Sequence, residues 1–328
     1  MTTAHAREGG QQLAQGRIDE ALRSFQKGLA LDPRDVDCLL GLVRCYGAQG
    51  AHGAAAASAR SLLALRPDHA EAQARLALAQ ARSGGPDAAA ALEALRTLAR
   101  APTGGFAERF ELGLLLAGRG DVQGAEAALR LALERDAHSA PAHFELGRLA
   151  LLRRDADGAL THLTRAAELS GGEPMVLLFL GRAHAARGEV GLAVQAVSRA
   201  ADAAPGSVAL RDELFRLYLA AGNPEAAGRT ARELRELSPG SAHAVYLEGL
   251  AKLAGGHFPQ ARALLQEALD AGLPTAREAA EARCALAQGH AAQGQMAEAR
   301  ALLEEVVASG TGGDASLLDQ ARVLLAAL

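Results

Sequence analysis

The chain has 328 residues, 49% hydrophobic but only 3% aromatic, without tryptophan, and a formal net charge of −4. Its apolar content is mostly Ala and Leu, strong helix formers, and β-branched or aromatic runs are nearly absent, which excludes a strand-rich fold. The missing basic surplus argues against a nucleic-acid binder, and no apolar run is long enough to span a bilayer.

From the N-terminus, two-helix units follow one another. In the first, a helix through Gly9 stops at Gly16, a second helix carries Ala21 and Phe25, and Pro33 ends it. The turn glycine returns at Gly50, Gly84, Gly120, Gly188, Gly222, Gly256 and Gly294, with Arg154 in the one gap. The steps are 34, 34, 36, 34, 34, 34, 34 and 38 residues. Pro67, Pro102, Pro205 and Pro239 repeat the role of Pro33. Glycine readily takes the backbone angles that end a helix and proline cannot continue one, so both markers are physical punctuation.

The stretch from Pro174 to Pro205 shows one unit in detail. Its first helix places Leu177, Leu180 and His184 at helical spacing; its second places Ala193, Val197 and Ala200 on one face. Replacing a junction leucine such as Leu180 by Ala is expected to cost ~2–5 kcal/mol. Small residues recur twelve apart, at Gly9 and Ala21, Gly113 and Ala125, Gly147 and Ala159, Gly181 and Ala193, and Gly249 and Ala261. They predict closely packed antiparallel helices, near the low end of the usual ~8–10 Å.

The pattern, with Leu146-Gly147, Ala159, Leu163 and Ala166 in one unit and Gly9, Gly16, Ala21, Phe25 and Pro33 in another, resembles the tetratricopeptide repeat (TPR) family. The resemblance covers nearly the whole chain. It implies an all-α fold, a right-handed α–α superhelix of about nine repeats over residues 1–313, with a C-terminal capping helix over 314–328. Irregularities are expected near 84–105, where Gly85 and Thr103-Gly104-Gly105 are extra, and near 272–279. Val43 and Phe215 replace the first-helix glycine, so wider crossings are expected there. The loose run from Ser309 to Gly313 precedes the final helix, whose Leu317, Ala321, Leu324 and Leu328 share one face. A two-helix unit cannot bury its apolar face alone, so solenoids stack copies and cover their ends.

No phosphate-binding loop, His-Glu-x-x-His, Gly-x-Ser-x-Gly or paired metal-ligand spacing is present, so no enzyme, cofactor or metal is expected. His184 and His290 occupy one repeat position and read as partly buried core residues. His138 and His143 flank a junction near His162 with no favourable spacing. Cys38 and Cys45 lie seven apart on one helix and read as small core residues; with Cys284 the count is odd, which argues against a disulfide framework.

The resemblance implies a concave groove lined by the second, fifth and ninth positions of each first helix. The fifth positions are Leu40, Ala74, Phe110, Phe144, Leu178, Asp212, Tyr246 and Cys284; the ninth are Arg44, Leu78, Leu114, Arg148, Arg182, Arg216, Leu250 and Gln288. Arg148, Arg182 and Arg216 recur at intervals of 34 and would form a ladder. The candidate groove contacts are therefore Arg44, Phe110, Phe144, Arg148, Leu178, Arg182, Arg216 and Tyr246. Such a groove suits an acidic peptide or helix with apolar anchors, because the planar guanidinium makes two parallel hydrogen bonds to a carboxylate. The competing expectation is that these arginines pair with carboxylates of neighbouring units. The family's carboxylate clamp uses a first-helix Asn, whereas the sole Asn here, Asn223, lies in a turn.

The expected function is a non-enzymatic protein-interaction scaffold or adaptor. The alternatives are the TPR portion of a larger secretion, pilus or polysaccharide assembly machine, or an array binding single-stranded RNA. The segment MTTAHAREGGQQ has no apolar stretch, so the expected location is cytoplasmic. Pairing of two copies through the terminal helix is a further expectation.

Overall fold

The structure, a computed structural model, describes residues 4–101, 105–309 and 315–328. Pro102, Thr103, Gly104, residues 310–313 and the expected start of the last helix at Asp314 lie outside the described residues. All 19 elements among the described residues are α-helices.

They form two compact units, residues 1–153 and 154–328. The first contains α1 (Ala4–Ala14), α2 (Ile18–Leu31), α3 (Val36–Ala48), α4 (His52–Leu65), α5 (Ala70–Ser83), α6 (Ala88–Arg100), α7 (Phe106–Gly118), α8 (Val122–Leu133) and α9 (Ala140–Leu152). The second contains α10 (Ala156–Ser170), α11 (Pro174–Ala186), α12 (Val190–Ala203), α13 (Val208–Ala220), α14 (Pro224–Leu237), α15 (Ala242–Ala254), α16 (Phe258–Ala271), α17 (Ala276–Ala291), α18 (Met296–Ser309) and α19 (Ala315–Ala327). Within each unit every helix packs on its sequence neighbour, and first helices also touch the next first helix. Each unit is thus an α–α solenoid.

The sequence punctuation is visible in the backbone. All nine marker positions have positive φ, from +61° at Arg154 to +83° at Gly188. Arg154 is the one non-glycine with positive φ among the described residues. At Gly188 the amide of Glu189 bonds the carbonyl of His184 at 2.9 Å, the wrapped helix end that a left-handed residue permits. Helix starts are fixed by side chains: Asp35, Asp121, Ser139, Asp155, Ser207, Asn223, Ser241 and Thr275 each accept from an amide three residues on. These bonds satisfy amides that a helix start leaves unpaired.

Close packing follows the small residues, with a refinement. A Cβ added at Gly113 would lie 2.6 Å from Leu129, and one at Gly181 2.5 Å from Val197. The same atoms would lie 3.3 Å from the Ala125 carbonyl and 3.2 Å from that of Ala193. Gly9 meets Phe25 and Gly249 meets Leu265 in the same way. The glycine is thus matched twelve residues on by a small residue and sixteen on by a large one.

Where the first-helix glycine is replaced, the size order reverses. Val43 and Phe215 are each 1% exposed, and sixteen residues on stand Ala59 and Ala231, both fully buried. The expected disturbance at these positions is therefore absorbed by a smaller second-helix residue. The helices of the pairs α7/α8, α11/α12 and α15/α16 still bring more of their backbones close together than those of α3/α4 or α13/α14.

Leu180 needs a correction. It is only partly buried, and Leu177, at 2% exposure, is the leucine in the core beside Val197 and Ala200. The last helix packs as the pattern implies: Leu317 and Ala321 are buried against Ala280, Cys284, Ala287 and Leu303, with Leu324 and Leu328 partly covered. The junction into α17 turns at Gly272, φ +84°.

Candidate functional site

The first helices of the first unit line an open depression. It measures about 460 Å³ and is lined from α1, α3, α5 and α7 by Leu13, Arg44, Leu78, Arg75, Arg82, Glu111 and Leu114, among others. Arg44, Leu78 and Leu114 are three successive ninth positions, so a period of about one repeat has brought them onto one wall.

Its charges are tied together across repeats. The Arg44 guanidinium grips Glu71 of α5 with two bonds, Nε at 2.8 Å and Nη2 at 2.7 Å. Arg75 approaches the same carboxylate at 3.6 Å. Arg82 donates to Glu111 of α7 at 3.1 Å. Burial tends to raise the Glu71 carboxyl, but the paired bonds from Arg44 win and hold it below its ordinary value. The Arg44 guanidinium is raised in turn, chiefly by that hydrogen bond. Besides these two carboxylates, Asp37 acts on Arg44 and Glu108 shares a smaller depression with Arg75, so the three guanidiniums are matched by carboxylates of the chain.

The remaining expected contacts fall out differently. Arg148 folds onto Glu145 of its own helix at 2.9 Å. Arg182 makes a two-pronged pair with Glu213 of the next first helix, at 3.0 and 3.2 Å, and lies 5.2 Å over the Phe179 ring. Arg216 pairs with Asp212 on its own helix at 2.8 Å. The ladder's rungs thus each hold a carboxylate of the chain itself. Leu178 is buried in the core rather than exposed for contact, 6% accessible. Phe110 is half-buried and stacks on Phe106, centroids 5.4 Å apart. Phe144 is half-buried on α9.

Tyr246 is also a correction: only 4% of it is exposed, and its hydroxyl donates to Glu281 of α17 at 3.1 Å. Burial, with Glu281 and Glu278 nearby, drives its phenol far up. Even so, Tyr246 shares a depression of about 240 Å³ with Leu250, Cys284, Gln288 and Leu317. The first four are fifth and ninth positions of consecutive repeats.

One group escaped the sequence reading. His243 of α15 places Nε2 3.0 Å from Asp212 of α13 and Nδ1 3.2 Å from Glu278 of α17. The second approach is close enough for an ion pair but is not aligned as a hydrogen bond. His243 occupies a second position, a groove-lining place that the sequence reading recognised without following its residues.

Three other histidines bond within the chain, and the cysteines are buried. His184 and His290 each reach across their turn, to Glu189 at 2.7 Å and Gln295 at 2.9 Å. His143 meets the Ala137 carbonyl at 3.3 Å. All three cysteines are buried thiols outside any disulfide. Burial pushes the Cys45 thiol up to about 11. Among the described residues no group of His, Cys, Asp or Glu is arranged to hold a metal ion, and no helix is long and apolar enough to cross a membrane.

Two tetratricopeptide repeat models match the sequence, one over residues 110–174, 144–208 and 246–314, the other over residues 12–51. The chain belongs to the tetratricopeptide repeat family. No curated protein matches this TPR chain significantly. Among solved structures it is similar to PilW, a widely conserved type IV pilus biogenesis factor, at 20% identity and TM-score 0.52, covering 64% of this chain and 94% of that one. It is similar to a chain of the APC/C hetero-tetramer Cut9–Hcn1, at 17% identity and TM-score 0.50, covering 94% of this chain and 58% of that one. YrrB, a TPR protein with an unusual peptide-binding site, aligns at 19% identity and TM-score 0.49 over 55% of this chain and 93% of that one. The likenesses to PilW and to the Cut9–Hcn1 chain establish the fold that the repeats describe.

Proposed function

We propose that this TPR chain is a non-enzymatic scaffold that holds an extended or helical segment of a partner protein against its first helices. The observation behind the reading is the 460 Å³ depression of the first unit. It combines apolar wall (Leu13, Leu78, Leu114) with guanidiniums (Arg44, Arg75, Arg82), and Arg is enriched among the residues that dominate interface energetics. The forked guanidiniums suit a segment with a carboxylate beside an apolar residue, one that displaces the chain's own Glu71 and Glu111. Arg148 of the same unit, like Arg44, Arg75 and Arg82, must exchange a carboxylate it already holds, and so must Arg182 and Arg216 in the second unit if that unit binds a segment of its own. Its place in a larger assembly machine would follow from what that segment belongs to.

A photo-crosslinking residue at Leu114 tests the reading. Expected is a partner crosslinked from Leu114, and lost when Arg75→Glu and Arg82→Glu are added to a chain of unchanged helicity and melting temperature. Crosslinking that survives the double reversal, or that comes equally from Leu152 on an exposed face, overturns it.

A further inference from the structure

Three consecutive first helices of the second unit meet through one imidazole. His243, its side chain 21% exposed, stands between Asp212 of α13 and Glu278 of α17, at 3.0 and 3.2 Å. Arg216 backs Asp212 at 2.8 Å. The Tyr246 ring lies 6.2 Å from the imidazole, and its hydroxyl leads to Glu281, which Arg277 holds at 2.8 Å. Charges of the two helices flanking α15 go elsewhere: Arg235 of α14 pairs with Glu248 and with Glu267 of α16.

A neutral imidazole has one N–H and one lone pair. Between two carboxylates, either tautomer satisfies one neighbour and turns a lone pair on the other. Only the imidazolium donates to both. The present geometry records that conflict: Nε2 is bonded, while Nδ1 is buried beside Glu278 without an aligned bond.

We propose that His243 is a proton-operated clasp, in which the imidazolium ties α13, α15 and α17 together and the neutral ring releases one of them. The proton is the ligand, and the second unit's groove face is what it tightens. The depression beneath Tyr246 is lined by α15, α17 and α19, so two of its three walls are held by the same clasp. The inference stands whether or not a partner docks in the first unit.

The experiment is an NMR titration of the imidazoles in the full chain, with His243→Gln supplying the assignment. The expected midpoint for His243 lies above the ordinary value of about 6.5. Asp212→Asn and Glu278→Gln should each lower it. The Glu278 variant shows that its charge is felt, and amide protection decides whether α17 is held. Protection at Glu278 and Ala279, which bond Thr275 at the start of α17, corrected for intrinsic exchange, should fall several-fold as pH rises through the midpoint, and show no step in His243→Gln. A midpoint at or below the ordinary value, an unchanged midpoint in Glu278→Gln, or protection without a step overturns the proposal.

Discussion

At the scale of single residues, this repeat depends on a few backbone angles and matched side-chain sizes. Arg154 sits at φ +61°, where every equivalent position has glycine. A side chain costs ~1–2 kcal/mol in that region, part of which glycine returns as unfolded-state entropy. Arg154→Gly should therefore stabilise the chain, by roughly 0.5–1 kcal/mol in a denaturant titration. Size matching makes a sharper prediction. Gly181→Ala places a methyl 2.5 Å from Val197 and 3.2 Å from a fixed carbonyl, so it should cost ~1–3 kcal/mol. Adding Val197→Ala should recover part of that cost, with a coupling of ~0.5–3 kcal/mol in a double-mutant cycle; strict additivity would count against the matching. The turn glycines were legible because their period is strict. The sixteen-residue size match was not read, because in a sequence Val43 looks like a lost glycine until Ala59 is seen packed in the same repeat.

Proton linkage also belongs to this scale, and its sign is fixed by direction. The hydrogen bond that His243 donates to Asp212 outweighs burial and raises the imidazole. Its contribution is therefore complete below the unfolded value of about 6.5 and is lost as pH rises through the folded value. Asp212 runs the other way: burial opposes it, yet His243 and Arg216 lower it. Its contribution is present above about 3.9, its unfolded value, and is lost as pH falls through the folded one. Together they place the clasp's greatest effect in mildly acidic solution. The melting temperature of wild type minus that of His243→Gln should be larger at pH 5.5 than at pH 8.5.

At the scale of helices, the irregular third repeat is mended by one buried cation. Arg109, 4% exposed in the first turn of α7, donates to the carbonyls of Ala99 and Leu131 at 2.9 and 2.8 Å, and to Ala101 at 3.4 Å. It thus serves the last turn of α6 and of α8, whose final carbonyls have no helical partner. Glu134 at 3.8 Å is its nearest carboxylate. Arg109→Leu strips the charge and leaves these carbonyls unpaired, so a loss of about 3 kcal/mol is expected, with Arg109→Lys recovering little. Nothing in the sequence marked this residue, since one more Arg in an Arg-rich chain carries no spacing signal. The terminal helix was legible from its apolar face. Leu317 covers Cys284 there, so a chain ending at residue 313 should expose that thiol to a modifying reagent while Cys38 and Cys45 stay protected.

At the scale of the molecule, two units each contain their own core. The clusters around Val197, Leu265 and Leu303 draw only on residues after 154. Residues 154–328 expressed alone should be helical and melt cooperatively; a broad, sloping transition would contradict this. The repeat period could be read from one sequence, because each repeat restates it, whereas the groove-lining positions are only what the family resemblance implies. The electrostatics of the groove could not be read. The partners of Arg44, Arg182 and His243 lie about one repeat away, where many carboxylates compete and only packing selects among them.

The reversal of large and small between paired helices has a consequence for how such a chain can change. A first helix bearing Phe215 fits only a second helix bearing something like Ala231, and one bearing Gly181 wants Val197 opposite. Helices are therefore not interchangeable parts, although whole pairs are. Duplication or recombination that cuts between repeats preserves every match, while a cut inside a repeat joins large to large or leaves small facing small. The unit of inheritance in this array is the married pair, and a designer who shuffles it should break it at the loops that follow the second helices.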